Sequence, residues 1–303
     1  SRLQAPEGMS PVEFAALRVQ ALNNMGEYHA ARSLLQDIDT GNWNTALVDA
    51  GLEAYIATTD LIGTCPVVRL VGSEREDPQW RMLGAICNSY AGEGVLGERQ
   101  LDRALRDEIA PGIDVLLAQR LAGAAGRGRR AVDVEWEGVD EINPWRFAIA
   151  NAVGREIPES LRANVEPYYE RVWAVTPTLS LQQRAIGADR AAREGIFSSQ
   201  AAIDLYSQIY ANENITGEAA DRATLLREAY VANTAFERVS AMQSVWGNED
   251  FPDYGRLVLT AYAAARIPAS PDLAEHAPAL IASMLTAGLD RDGALKLENE
   301  GFV

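Results

Sequence analysis

Few side chains in this sequence can do covalent chemistry: there are two cysteines, two histidines and a single lysine, Lys296. Cys65 lies in Gly63-Thr64-Cys65-Pro66-Val67-Val68-Arg69-Leu70, and Cys87 ends Trp80-Arg81-Met82-Leu83-Gly84-Ala85-Ile86-Cys87. The breaker run Gly72-Ser73-Glu74-Arg75-Glu76-Asp77-Pro78 separates them. Read as an antiparallel helical hairpin, the segment turns near residue 76, which is also the midpoint of 65 and 87. The two sulfurs then lie at the same height and form a disulfide if the Cβ vectors converge. Two buried free thiols are the competing reading, because free cysteine packs as a small core residue. A bond here contributes roughly 3 kcal/mol on the chain-entropy model. It also implies an oxidising compartment, a periplasm or the extracellular space.

Other chemistries lack material. His29 and His276 have no serine or cysteine beside them in a catalytic spacing, and neither Gly-x-Ser-x-Gly nor Ser-x-x-Lys occurs. No catalytic residue is assigned, so the chain reads as a non-enzyme. Gly123, Gly126 and Gly128 do not make a nucleotide loop, which needs strand, turn and helix in that order. Arg127, Arg129 and Arg130 in that stretch can grip a carboxylate or phosphate with guanidinium forks, or pair with Asp133, Glu135 and Glu137 nearby. Glu135, Glu137, Asp140 and Glu141 cluster around Trp136 and Trp145, and two acids beside an aromatic are the ingredients of glycoside chemistry. The alternative function is therefore an envelope enzyme or binding protein acting on cell-wall glycan or peptidoglycan. Asp290-Arg291-Asp292-Gly293 fails as a calcium loop: with Gly293 sixth, the first position is Gly288 and the twelfth is Asn299, where a glutamate is needed. No metal and no cofactor is predicted. The candidate interaction residues are Arg127, Arg129, Arg130, Glu135, Trp136, Glu137 and Trp145.

The positioning elements read as all-α. Ser10-Pro11-Val12-Glu13 is a capping box with proline at the first helical position, followed by Phe14, Leu17, Ala21 and Leu22 on one face. Asp77-Pro78, Asn143-Pro144 and Ser270-Pro271 repeat the cap-then-proline signal. Amphipathic spacing predicts helices at 27–38, 43–58, 97–108, 112–123, 160–175, 179–194, 198–211, 217–246 with an internal break, 253–266 and 273–287. Thr216 is expected to cap the helix after it. Ala131 to Glu137 alternates with period two, as in a short strand or extended arm, and could lay Trp136 on a neighbouring core. The predicted organisation is a helical-hairpin region at 1–125, an Arg/Gly-rich loop and extended connector at 126–142, and a second helical region at 143–303.

Met25-Gly26-Glu27-Tyr28-His29-Ala30-Ala31-Arg32-Ser33-Leu34-Leu35 and Ala91-Gly92-Glu93-Gly94-Val95-Leu96-Gly97-Glu98-Arg99-Gln100-Leu101 each join two helices at Gly-Glu. Such Ala-rich helix pairs resemble the tetratricopeptide and Sel1-like helical repeats of bacterial envelope proteins, over about the first 125 residues. The resemblance implies stacked antiparallel hairpins sharing a continuous core, a solenoid-like arrangement. An irregular all-α globule is the other arrangement open to this sequence. Helical solenoids also accompany lytic transglycosylase domains, but as accessory domains, so that likeness assigns no catalytic residue.

The 303 residues carry 27 Lys+Arg against 43 Asp+Glu, a net charge of −16. That excess of acid argues against nucleic acid and against direct insertion into or recruitment by an anionic membrane. The expected partner is another protein, including a subunit of a membrane-anchored complex, and the expected location is periplasmic or secreted. Ser1 is compatible with a processed end, and the Gly288 to Val303 tail with continuation of the natural chain.

Overall fold

A computed structural model describes residues 3–72, 75–125, 132–162, 167–247 and 253–299. Among the described residues the chain is all-α, with eighteen α-helices and no strand. It divides into two compact units, Ser1–Val165 and Glu166–Val303. The 126–142 connector predicted as a boundary thus falls inside the first unit. Arg127, Arg129 and Arg130 lie outside the described residues.

The first unit contains α1 (Pro11–Asn24), α2 (Tyr28–Gln36), α3 (Thr45–Ala57), α4 (Cys65–Val71), α5 (Pro78–Tyr90), α6 (Gly94–Arg106), α7 (Gly112–Ala125), α8 (Pro144–Ala152) and α9 (Glu159–Arg162). Their starts follow the caps. Ser10 and Glu13 form the reciprocal capping box, Asp77 accepts from the Trp80 amide, and Asn143 accepts from the Arg146 amide. The two Gly-Glu segments make the same turn. After α1, the Glu27 amide donates to Leu22 O, with Gly26 at φ 79°; after α5, the Glu93 amide donates to Asn88 O, with Gly92 at φ 91°. This left-handed C-terminal cap satisfies end carbonyls that would otherwise be orphaned. Helix α3 packs on α1 and α2, α5 on α4, α6 and α7, and α8 on α7 and α3. Val19, Leu35, Leu47, Leu83, Ile86 and Leu117 are fully buried between them.

Two helical glycines show what sets the α5–α6 spacing. A Cβ on Gly97 would sit 2.2 Å from Ser89 Oγ and 2.4 Å from the Ala85 carbonyl oxygen, whereas one on Gly84 would meet nothing within 4 Å. Gly→Ala gains up to about 1 kcal/mol of helix propensity, but overpacking costs about 1–3 kcal/mol. The backbone oxygen cannot swing aside, so Gly97→Ala is expected to lose about 1–2 kcal/mol net, while Gly84→Ala gains up to about 1 kcal/mol. Urea titrations at matched m-values check the pair, and equal signs for the two substitutions would contradict it.

The 132–136 stretch is an extended arm rather than a strand: Val134 is fully buried, Val132 and Trp136 are half-buried, and Asp133, Glu135 and Glu137 face solvent. Among the described residues no strand pairs with it, and its carbonyls accept from side chains. Arg120 of α7 donates to Val132 O (3.1 Å) and Arg155, just past α8, donates to Val134 O (2.5 Å). Arg146 of α8 holds the far end by donating to Glu141 O. The same guanidinium makes a two-pronged ion pair with Asp114 of α7, at 2.8 and 3.1 Å, with each side chain 5% exposed.

The second unit contains α10 (Pro167–Val175), α11 (Leu181–Ile186), α12 (Ala188–Arg193), α13 (Ser199–Ala211), α14 (Glu218–Val231), α15 (Ala235–Trp246), α16 (Tyr254–Ala265), α17 (Ala277–Leu285) and α18 (Asp290–Asn299). Three predicted helices are divided, each for a local reason. The 179–194 segment bends at Gly187, where any Cβ would lie 1.9 Å from the Glu170 carbonyl oxygen, so the backbone presses directly on α10. The 217–246 segment breaks before the Thr234–Glu237 capping box that opens α15. The 273–287 segment is a 3-10 turn, Pro271–His276, followed by α17, whose first turn holds Pro278, which has no amide to donate. Gly217 at φ 77°, not Thr216, occupies the cap before α14. Asp189 of α12 fastens three helices, accepting from Arg222 of α14 at 2.6 Å and from Arg256 of α16 at 3.0 Å. Around it pack Leu205, Ile209, Ala223, Leu226 and Leu259.

Candidate functional site: an arginine-lined trough

In the first unit α4, α5 and α6 enclose an open trough of about 910 Å³. Helix α5 supplies the floor through Trp80, Arg81, Gly84 and Asn88, spaced so that they share one face of a helix. From Trp80 to Asn88 the floor runs about 12 Å at 1.5 Å per residue. Gly84 leaves the middle of that floor open, with nothing within 4 Å of where a Cβ would stand. Helix α6 makes one wall with Arg99 and Arg103, one turn apart. Val68 and Arg69 of α4, with Arg75 from the connecting loop, make the other.

Three covalent or polar links hold this shape. The Cys65–Cys87 disulfide is present, with Cα atoms 5.3 Å apart, and ties the first residue of α4 to the last part of α5. The bond joins two residues equally distant in sequence from the turn near residue 76. At the other side, the Asn88 amide donates to Gln100 Oε1 at 2.8 Å and bridges α5 to α6. The Trp80 indole donates to Gly72 O at 3.0 Å and pins the loop.

The electrostatics of the trough are opposite to those of the chain. Among the described residues, five guanidinium groups line it against one carboxylate, Glu76. Two of the five are engaged. Arg75 pairs with Asp49 and Asp77 and stacks over the Trp80 ring at 4.9 Å; Arg69 lies 3.7 Å from Glu93. Partial burial pulls the Arg75 guanidinium down, but its bonds to Asp49 and Asp77 prevail and hold it above its ordinary value. Arg81, Arg99 and Arg103 have no carboxylate within ion-pair distance among the described residues, and all three are exposed. Guanidinium forks of this kind bind carboxylate or phosphate with two parallel hydrogen bonds.

Among the described residues the lining holds no histidine, cysteine, serine or lysine and a single carboxylate. The arrangement is equipped to hold an anion. Among the described residues no group of three His, Cys, Asp or Glu side chains is placed to hold a metal ion.

Of the residues singled out from sequence, Glu135, Trp136, Glu137 and Trp145 lie among the described residues. Trp145 is 1% exposed, and its neighbours Phe147, Ala148 and Ile149 are buried as well, so it is a core residue and no aromatic platform. Glu135 and Glu137 are exposed on the arm, and Trp136 is half-buried with its indole N–H unpaired. The trough residues were missed because they come from three elements. A usable signal was present in α6, where Leu96, Arg99 and Arg103 share a face. Comparison with known proteins finds no matching family model, no matching curated protein and no matching solved structure.

Proposed function

We propose that the chain is a non-catalytic helical interaction module that docks an acidic segment of another protein in the α4–α6 trough. The observation that carries this reading is the convergence of Arg81, Arg99 and Arg103, without carboxylate partners among the described residues, on a chain of net charge −16. In so acidic a protein, cations left unpaired around one concavity offer a bidentate site to an incoming carboxylate. The hairpins α1–α2 and α5–α6, joined by the same turn, support a stacked-hairpin arrangement of the tetratricopeptide type. A periplasmic or extracellular location is proposed with it, since the disulfide is compatible with an oxidising compartment. No helix among the described residues is long and apolar enough to cross a membrane, and a subunit of a membrane-anchored assembly is one form the partner takes.

The test is fluorescence anisotropy with a labelled octaglutamate peptide, against octaserine as control. Octaglutamate should bind, weaken as salt rises, and lose at least tenfold in affinity with the R99E/R103E double reversal. Equal binding by wild type and double reversal, or none by either, would overturn the reading.

A further inference from the structure

The second unit carries a different concavity, between α13 and α14. It measures about 390 Å³ and is walled by Ile203, Tyr206, Ser207 and Tyr210 on one helix and by Leu226, Arg227 and Tyr230 on the other, among others. Each set recurs every three or four residues, so each is one stripe of its helix, and the trough is the groove between two stripes. Its surface is apolar and aromatic, and among the described residues the lining contains no carboxylate. Burial pushes both the Tyr206 and the Tyr230 phenol up to about 12, so both walls are neutral at physiological pH. Among the described lining residues the one charge is Arg227. Its guanidinium lies over the Tyr210 ring at 4.7 Å and has no ion-pair partner among the described residues. A guanidinium held over an aromatic ring by cation–π attraction still has N–H donors to offer a carboxylate.

Size decides the kind of occupant. The volume falls within the range of small-molecule sites, about 300–1,000 Å³, and a stable protein interface needs about 800 Å² on each partner, more than these few walls present. We infer that the α13–α14 trough binds a small amphiphile, an apolar chain or ring ending in one carboxylate, with the apolar body over Tyr206, Tyr210 and Tyr230 and the carboxylate on Arg227. The charge selects the anionic end, and the lack of lining acids leaves it nothing to compete with. This site is independent of the arginine trough in the first unit.

Decanoate and decan-1-ol, compared by isothermal titration calorimetry below the micelle concentration of decanoate, test the inference. Wild type should bind one decanoate. Arg227→Met, which keeps the apolar stem, should weaken decanoate about tenfold, the effect of losing one charge-assisted hydrogen bond, while leaving decan-1-ol within twofold. Arg227→Lys should retain most of the decanoate affinity. Ser207→Trp, at an exposed wall position, should abolish binding of both probes with an unchanged far-UV spectrum. R99E/R103E should leave decanoate binding as it was, which separates this site from the first. No saturable binding by wild type, equal decanoate affinity in Arg227→Met, binding that survives Ser207→Trp, or uptake of many decanoate molecules per chain would each overturn the assignment.

Discussion

Asp114→Ala is expected to remove about 3–5 kcal/mol of stability, because it strands a buried guanidinium. Asp114 and Arg146 meet through two hydrogen bonds with each side chain 5% exposed. Once the carboxylate is gone, the Arg146 guanidinium keeps, among the described residues, only its bond to Glu141 O. Converted at 2–4 °C per kcal/mol for a unit of this size, the melting temperature should fall by about 6–20 °C. The paired replacement D114L/R146M should recover most of the loss, since a buried ion pair exchanged for apolar groups of similar volume is often neutral or stabilising. Calorimetry on the two variants and wild type checks both halves. A D114A protein within about 1 kcal/mol of wild type would mean that water reaches the guanidinium, contrary to the burial seen. Arg146 also anchors the extended arm, so hydrogen exchange of residues 132–141 should quicken in D114A.

Reducing the Cys65–Cys87 bond, or replacing both residues in C65A/C87A, should cost about 3 kcal/mol on the chain-entropy model, which corresponds to about 6–12 °C in melting temperature. The bond spans 22 residues. Helix α4 has only seven residues and depends on α5 for its position, so its amides should exchange fastest once the link is cut. Amides of α13 to α16 should be unaffected, because the second unit contains no cysteine. Mass-spectrometric hydrogen exchange with and without a phosphine reductant distinguishes the two units. A uniform change across both, or an unchanged melting temperature, would contradict the expectation.

Much of the architecture was legible because helix starts are written locally. Ser10 with Glu13, Asp77-Pro78 and Asn143-Pro144 each place an acceptor where the first amides need one, and each opens a helix. The disulfide was legible because a hairpin imposes symmetry about its turn. Features set by contact with another element were not. Gly187 looks like any helical glycine until the Glu170 carbonyl is found against it. Trp145 sits among acids in sequence, yet Pro144–Ala152 buries nearly every side, and the apolar run Phe147-Ala148-Ile149-Ala150 is the signal of a helix enclosed all round. The arginine trough depends on three helices and on an open space above Gly84, which no spacing within one helix encodes.

Among the described lining residues, the cationic groups of both troughs are guanidiniums. Arginine stays protonated through any alkaline range a protein survives, and acetylation acts on amines. Neither a shift to high pH nor amine acylation can therefore switch these charges off. If the two troughs take carboxylates as proposed, occupancy is then governed by the ligand's own concentration and by the surrounding salt.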